Sequence, residues 1–272
     1  MQEYQRVITS LRQAYGAAAA AERDAREKET FKVDERRRFL DLLRDRGATS
    51  LLEVGAGTGH DSLFFQEQGL RVLCTDLSPA MVELCRAKGL NARVADFLSL
   101  EVPPASFDAV YALNCLLHVP TPDLTRVLEA IGEVLVPGGL CYAGTWGGAD
   151  EEGPMRDDHY PVPRFFAFRS DQLMSKTLAG HFRILSFTTF DPGGNHFQSF
   201  VLEKPIRLGD GKAPPRTRFR DGYACVSGSA NGRTKSDRSG ALHCGRWRVL
   251  RCGTGEQARS GLAICLSPGR RG

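Results

Sequence analysis

No run among the 272 residues approaches the roughly 18 consecutive apolar positions of a membrane-spanning helix, and no membrane partner is expected. The opening stretch MQEYQRVITSLRQAYG also lacks the apolar h-region of a secretory leader, so a cytoplasmic setting is expected. There are eight cysteines, but none forms a C-x-x-C pair. Cys74, Cys85, Cys115 and Cys141 lie inside apolar segments and read as small buried hydrophobes in a reducing compartment. Cys225, Cys244, Cys252 and Cys265 match no zinc spacing, and no metal is expected.

The net charge of +4 averages two unlike stretches. Residues 1–205 hold 22 Lys+Arg against 28 Asp+Glu, a balance of −6, whereas 206–272 hold 14 against 4, a balance of +10. The second stretch has twelve glycines and few aliphatic residues, so it cannot bury enough apolar surface to offset its ordering entropy. It reads as a disordered, low-complexity basic tail. Stacking aromatics are nearly absent from it, so a nucleic-acid partner is not expected, although RNA binding by this tail is the third reading of the chain.

What the rest contains is an alternation. Residues 1–46 form a helical lead-in, with Ala17 to Ala21 a strong helix former. Strands over 50–54, 71–76, 92–97, 107–114 and 140–145 then alternate with helices over 61–68, 79–88 and 122–135, the pattern of a parallel α/β sheet. Ser78-Pro79 marks a helix start and Gly89 its stop. Residues 147–169 show no sustained periodicity and read as a long loop over the active face. After a helix near 170–178, the runs over 182–190 and 197–204 are joined by a connector too short for a helix, which makes them antiparallel.

The first strand breaks into LLEVGAGTG (51–59), and the second ends on Asp76, twenty-one residues after Gly55. Glycines at 55, 57 and 59 let a ligand approach the main chain at a helix N-terminus, and Asp76 stands where a carboxylate accepts from two ribose hydroxyls. Dinucleotides and S-adenosylmethionine both present such a ribose. The sixth position of the glycine pattern is His60, where a dinucleotide fingerprint wants Gly or Ala, which favours S-adenosylmethionine; a nicotinamide oxidoreductase is the alternative. Glu53 is then the candidate for the ligand's ammonium.

In these motifs the chain resembles the class I S-adenosylmethionine-dependent methyltransferases over roughly residues 28–205. LLEVGAGTG is similar to the family's first motif, TDLSPAMV (75–82) to the second, and ADF (95–97) to the third. FDAVYALNCLLHV (107–119) resembles the strand beneath the cofactor and LVPGGL (135–140) the turn into strand five. The resemblance implies a doubly wound, seven-stranded, mostly parallel sheet in the order 3-2-1-4-5-7-6, with strand seven antiparallel. This methyltransferase domain would span 47–205. It implies a cofactor set of Glu53, Gly55, Ala56, Gly57, Gly59, Asp76, Leu77, Asp96, Phe97 and Asn114, with S-adenosylhomocysteine as product. The acceptor is expected to be a small molecule carrying an O, N or S nucleophile, since no RNA- or protein-recognition domain is recognisable.

A hydroxyl acceptor would need a base, and His118 and His196 are the candidates. Trp146, Tyr160, Arg164 and Phe165, following strand five, are the candidate acceptor pocket. Tyr4 and Tyr15 are placed to close over the methionine end, whereas Arg36, Arg37 and Arg38 read as a solvated helix face.

Overall fold

Successive residues of a strand face opposite sides of its sheet, and a strand covered on both sides is apolar throughout. In β1 (Ser50–Val54), β4 (Phe107–Leu113) and β5 (Leu135–Trp146), Leu51, Ala109, Tyr111, Leu140 and Tyr142 serve one core. Their neighbours Leu52, Val54, Val110, Ala112, Cys141 and Ala143 serve the other. With β2 (Arg71–Asp76), β3 (Ala92–Val94), β8 (Arg183–Phe190) and β9 (Phe197–Glu203) they form one sheet, ordered β3-β2-β1-β4-β5-β9-β8. Only β9 runs against its neighbours within it, so the expected order and the reversed strand are both present. The computed structural model describes residues 2–206 and the short antiparallel pair Leu242–Cys244 with Trp247–Val249. Otherwise the expectation of a disordered 206–272 tail lies outside the described residues.

The helical lead-in is three helices: α1 (Gln2–Ala14), α2 (Ala17–Asp24) and α3 (Thr30–Asp45). Phe39, Leu40 and Leu43 of α3 cover the first core, where Tyr111 and Tyr142 stack with ring centres 4.8 Å apart and Phe39 lies 5.9 and 5.6 Å from them. On the other face α6 (Thr121–Val134) presents Leu124, Val127, Leu128 and Ile131, one stripe at helical spacing. Tyr4 and Ile8 of α1 join that same core. The remaining helices are α4 (His60–Glu67), α5 (Pro79–Ala87) and α7 (Asp171–Ala179). Ser78 caps α5 by accepting from the Met81 amide at 3.3 Å. No helix among the described residues is long and apolar enough to cross a membrane.

Two expectations need correction. Residues 147–169 are not a plain loop: β6 (Glu151–Pro154) and β7 (Phe165–Phe168) pair antiparallel as a separate ribbon. Four-residue strands leave too short a pattern for a periodicity search, yet Phe165 and Ala167 alternate inward onto Val7 and Leu11 of α1. Arg36 is not on a solvated face either. Its guanidinium sits 3.9 Å from the Phe64 ring centre and donates to Asp61 at 2.9 Å, while Arg37 and Arg38 remain exposed.

Phe39 carries three of the aromatic contacts in the first core, so Phe39→Ala should lower the unfolding free energy by about 3–5 kcal/mol, read by urea denaturation.

Candidate active site

The site begins where β1 runs out. Gly55 has φ +66°, and a Cβ there would lie 2.4 Å from Cys115 Cβ, so only glycine lets this strand end pass the turn after β4. Gly59 packs in the same way, its missing Cβ 2.6 Å from Leu90 Cδ1. The Gly57 amide donates to Asp76 Oδ2 and the Ser78 amide to Oδ1, each at 2.8 Å. Burial nevertheless pushes the Asp76 carboxyl up to about 6, outweighing those two donors.

Two cavities open at this end of the sheet. One of about 100 Å³ is bounded by Gly55, Gly57, Asp76, Leu77, Asp96 and Phe97, with Tyr4 above them. Asp96 accepts from the Leu98 amide at 2.8 Å and from the Tyr4 hydroxyl at 3.4 Å. The other, about 330 Å³, is bounded by Glu53, Ala56, Lys32, Trp146, Arg164 and Phe166. Tyr15, Arg23, Gly55, Gly57, Leu113, Asn114 and His118 line both, so the cavities meet there.

The junction holds unusual groups. Asn114 has φ +53°, and its Oδ1 is buried without a hydrogen-bond partner. His118 Nδ1 is 2.7 Å from the Phe165 carbonyl, which fixes the proton on that nitrogen and leaves Nε2 to accept from the Tyr15 hydroxyl at 2.9 Å. Burial, helped by Arg164 and Arg23 nearby, pushes His118 down to about 4. Glu53 is 2% exposed, accepts from Ser62 Oγ at 2.5 Å, and is pushed upward by burial and by the charge of Asp61. A buried carboxyl so placed suits an incoming cation.

The N-terminal helices roof the junction through ion pairs. Asp61, at the first turn of α4, takes both Lys28 and Arg36; Lys88 joins Asp24 at 2.6 Å and donates to the Thr58 carbonyl at 2.9 Å. His60 also meets Asp24, at 3.1 Å. Among the expected acceptor residues, Trp146 and Arg164 bound the larger cavity. Tyr160 and Phe165 line neither cavity. The Tyr160 ring packs 5.8 Å from Tyr15 and under the Arg164 guanidinium, and Phe165 contributes its carbonyl while its side chain meets α1. His196 lies apart from both as well, its two ring nitrogens each 2.8 Å from a carboxylate, Asp191 and Asp171. Arg23 and Lys32 were not marked by any motif, since each sits in a charged helical stretch with nothing local to distinguish it.

A methyltransferase-domain family profile matches residues 51–139, the segment that builds the glycine turn, Asp76, Asp96 and the junction strand. Over this segment the chain is similar to S-adenosylmethionine-dependent methyltransferases. Its relatives include the ubiquinone biosynthesis O-methyltransferase of Xylella fastidiosa, 32% identical over 35% of this chain and 41% of that protein. The malonyl-[acyl-carrier protein] O-methyltransferase of Serratia marcescens is 29% identical over 48% of each. The chain thus spans less than half the length of the curated relatives it matches. Among solved structures, the 1,6-didemethyltoxoflavin-N1-methyltransferase of Burkholderia thailandensis, with bound S-adenosylhomocysteine, has a TM-score of 0.60 at 22% identity, covering 74% of this chain and 90% of that one. A [4+2]-cyclase shares the fold at a TM-score of 0.50 and 20% identity, over 62% of this chain and 81% of that one, so the fold alone does not name a reaction.

The crevice offers acceptors that fit the hydroxyl and ammonium donors of S-adenosylmethionine: each Asp76 oxygen has one backbone donor and spare lone pairs, and Asn114 Oδ1 is buried without a partner. A carboxyl that is to accept from two ribose hydroxyls must be ionised, and burial raises that of Asp76 to about 6. S-adenosylhomocysteine affinity should therefore be level above that pH and fall roughly tenfold per unit below it. Calorimetric titration across the range checks this, and Asp76→Asn should bind weakly with little pH dependence.

Proposed function

We propose that this protein transfers a methyl group from S-adenosylmethionine to an O, N or S nucleophile of a small-molecule acceptor. The observation that carries the proposal is the meeting of two cavities at Tyr15, Asn114 and His118: one is lined by the ribose- and adenine-type residues, the other by aromatic and cationic ones. When bound, S-adenosylmethionine supplies a methyl group on a sulfonium, an electrophile that needs no further activation.

The chain's own residues then align, enclose and deprotonate. Asp76 takes the ribose hydroxyls, and Asp96 and Phe97 flank the adenine. Glu53 and Asn114 Oδ1 take the ammonium. Arg23, whose guanidinium lies 5.4 Å from the Tyr15 ring centre and borders both cavities, takes the carboxylate. Trp146, Phe166 and Arg164 enclose the acceptor, and α1 and α2 keep water out.

For a hydroxyl acceptor, His118 acts through Tyr15. The acceptor's proton goes to Tyr15 Oη while Tyr15's own proton passes to His118 Nε2, leaving an imidazolium anchored on the Phe165 carbonyl. A pKa near 4 is adequate here, because an alcohol oxygen becomes strongly acidic once methylated. His196, held between two aspartates, has no part in this proposal. The buried unpaired thiols Cys74, Cys85, Cys115 and Cys141 support a cytoplasmic setting, and no nucleic-acid partner is invoked.

Labelled S-adenosylmethionine incubated with a panel of small-molecule phenols, acids, amines and thiols tests the reading; a chain that binds the cofactor yet labels none of them would sink it. With an accepted hydroxyl substrate, Tyr15→Phe and His118→Gln should each lower kcat by about 10²-fold while S-adenosylhomocysteine affinity is nearly kept. The double variant should be no slower than either single one, as expected of groups acting as a unit.

A further inference from the structure

The larger cavity contains a cation to which methyl transfer assigns no task. Lys32, in the first turn of α3, is 4% exposed. Its Nζ donates to Glu29 Oε1 at 2.8 Å and stands 4.6 Å from the ring centre of Trp146 at the carboxyl end of β5. Burial draws the ammonium below the ordinary lysine range even though Glu29 opposes the shift. Desolvating a charge this far is costly unless something repays it. The partner on hand repays little: the Glu29 side chain is 49% exposed, so its carboxylate is half in water and weakly held.

Of the other cations of the wall, Arg26 is exposed to solvent, and Lys28 and Arg164 are paired. Lys28 is taken by Asp61, and Arg164 by both oxygens of Asp158. Arg23 stands at the junction, on the cofactor side. Lys32 has three donors, of which Glu29 takes one and the Trp146 face attracts the charge without saturating it. The indole beside it offers a flat apolar surface, continued across the cavity by Phe166.

We infer that Lys32 and Trp146 form an acid-recognition subsite, and that the acceptor is a planar aromatic carboxylate whose carboxylate displaces Glu29 from the ammonium while its ring lies against the indole. This rests on the larger cavity being the acceptor's, as proposed above. The exchange is balanced in charge, since one carboxylate leaves the ammonium for water as another arrives, and the incoming bond is a charge-assisted one made out of water.

Binding without turnover provides the test. In a Trp247→Phe background, which leaves Trp146 as the one indole of the two in the chain, protein saturated with S-adenosylhomocysteine is titrated with the hydroxybenzoate isomers and with the matching neutral amides, reading fluorescence quenching. At least one acid should bind about tenfold or more tighter than its amide, the scale of one charged hydrogen bond. Lys32→Met should abolish that preference and Lys32→Arg keep it. Glu29→Gln, which removes the internal competitor, should tighten the acid and leave the amide unmoved, a gain that misfolding cannot imitate. Equal affinity of acid and amide, no binding by either, or a preference that survives Lys32→Met would overturn the inference. Failure of the methyl-transfer reading would appear separately, as failure to bind S-adenosylhomocysteine or as cofactor binding with no member of the acceptor panel labelled.

Discussion

Asp61 is 4% exposed and accepts from both Lys28 and Arg36, so the link between α2 and α3, and α3 itself, are bound to the N-terminus of α4 by a largely buried ionic triad. The carboxylate also meets the positive end of the α4 dipole. Such a group is stable only while both cations stay; loss of one partner from a buried pair typically costs about 3–5 kcal/mol. That restraint, with the Lys88–Asp24 pair, holds three side chains of the N-terminal segment against partners distant in sequence: Tyr15 against His118, Arg23 between the cavities and Lys32 against Trp146. The sheet supplies the floor of the crevice, but the triad supplies its roof. The geometry of the crevice and the docking of the N-terminal helices are therefore a single energetic problem.

The floor carries its own tension. Asp76 is lifted to about 6, Glu53 is pushed upward beside Asp61, and Asn114 keeps a buried oxygen unpaired at a positive φ. Each would be easier to satisfy if exposed to water or replaced by an apolar residue. Kept together at one strand-end crevice, they form a preorganised set of acceptors, and under the proposed function hydroxyl and ammonium donors would meet their cost. The affinity of the crevice and the local instability of the empty fold have the same origin.

The parts legible in the sequence were those encoded locally. The strand-to-glycine turn, the Ser78-Pro79 cap and the two strands around 191–195 announce themselves within a few residues, and the sheet order followed from them through the family resemblance. Asp76, Asp96 and Asn114 could be brought to one end of the sheet because each lies at, or within two residues of, the end of a strand. What could not be read depends on contacts between distant segments. Nothing near Lys32 in TFKVDERRR marks it out from Arg37 or Arg38; burial by Trp146, more than a hundred residues later, does. His196 looked as suitable a base as His118 because a histidine's partners are set by tertiary neighbours, here Asp171 and Asp191. The β6–β7 ribbon escaped for a related reason: its strands are too short to show a period, and its inward face is defined by α1.

The bond from His118 Nδ1 to the Phe165 carbonyl has a consequence for divergence. The proton position on the imidazole is dictated by a main-chain atom, which every residue type provides at that place in the ribbon. Side chains of the 151–168 segment, apart from Phe165 and Ala167 that seat it on α1, can therefore be exchanged without moving the proton on that ring. The tautomer is buffered against side-chain change in the very segment that borders it.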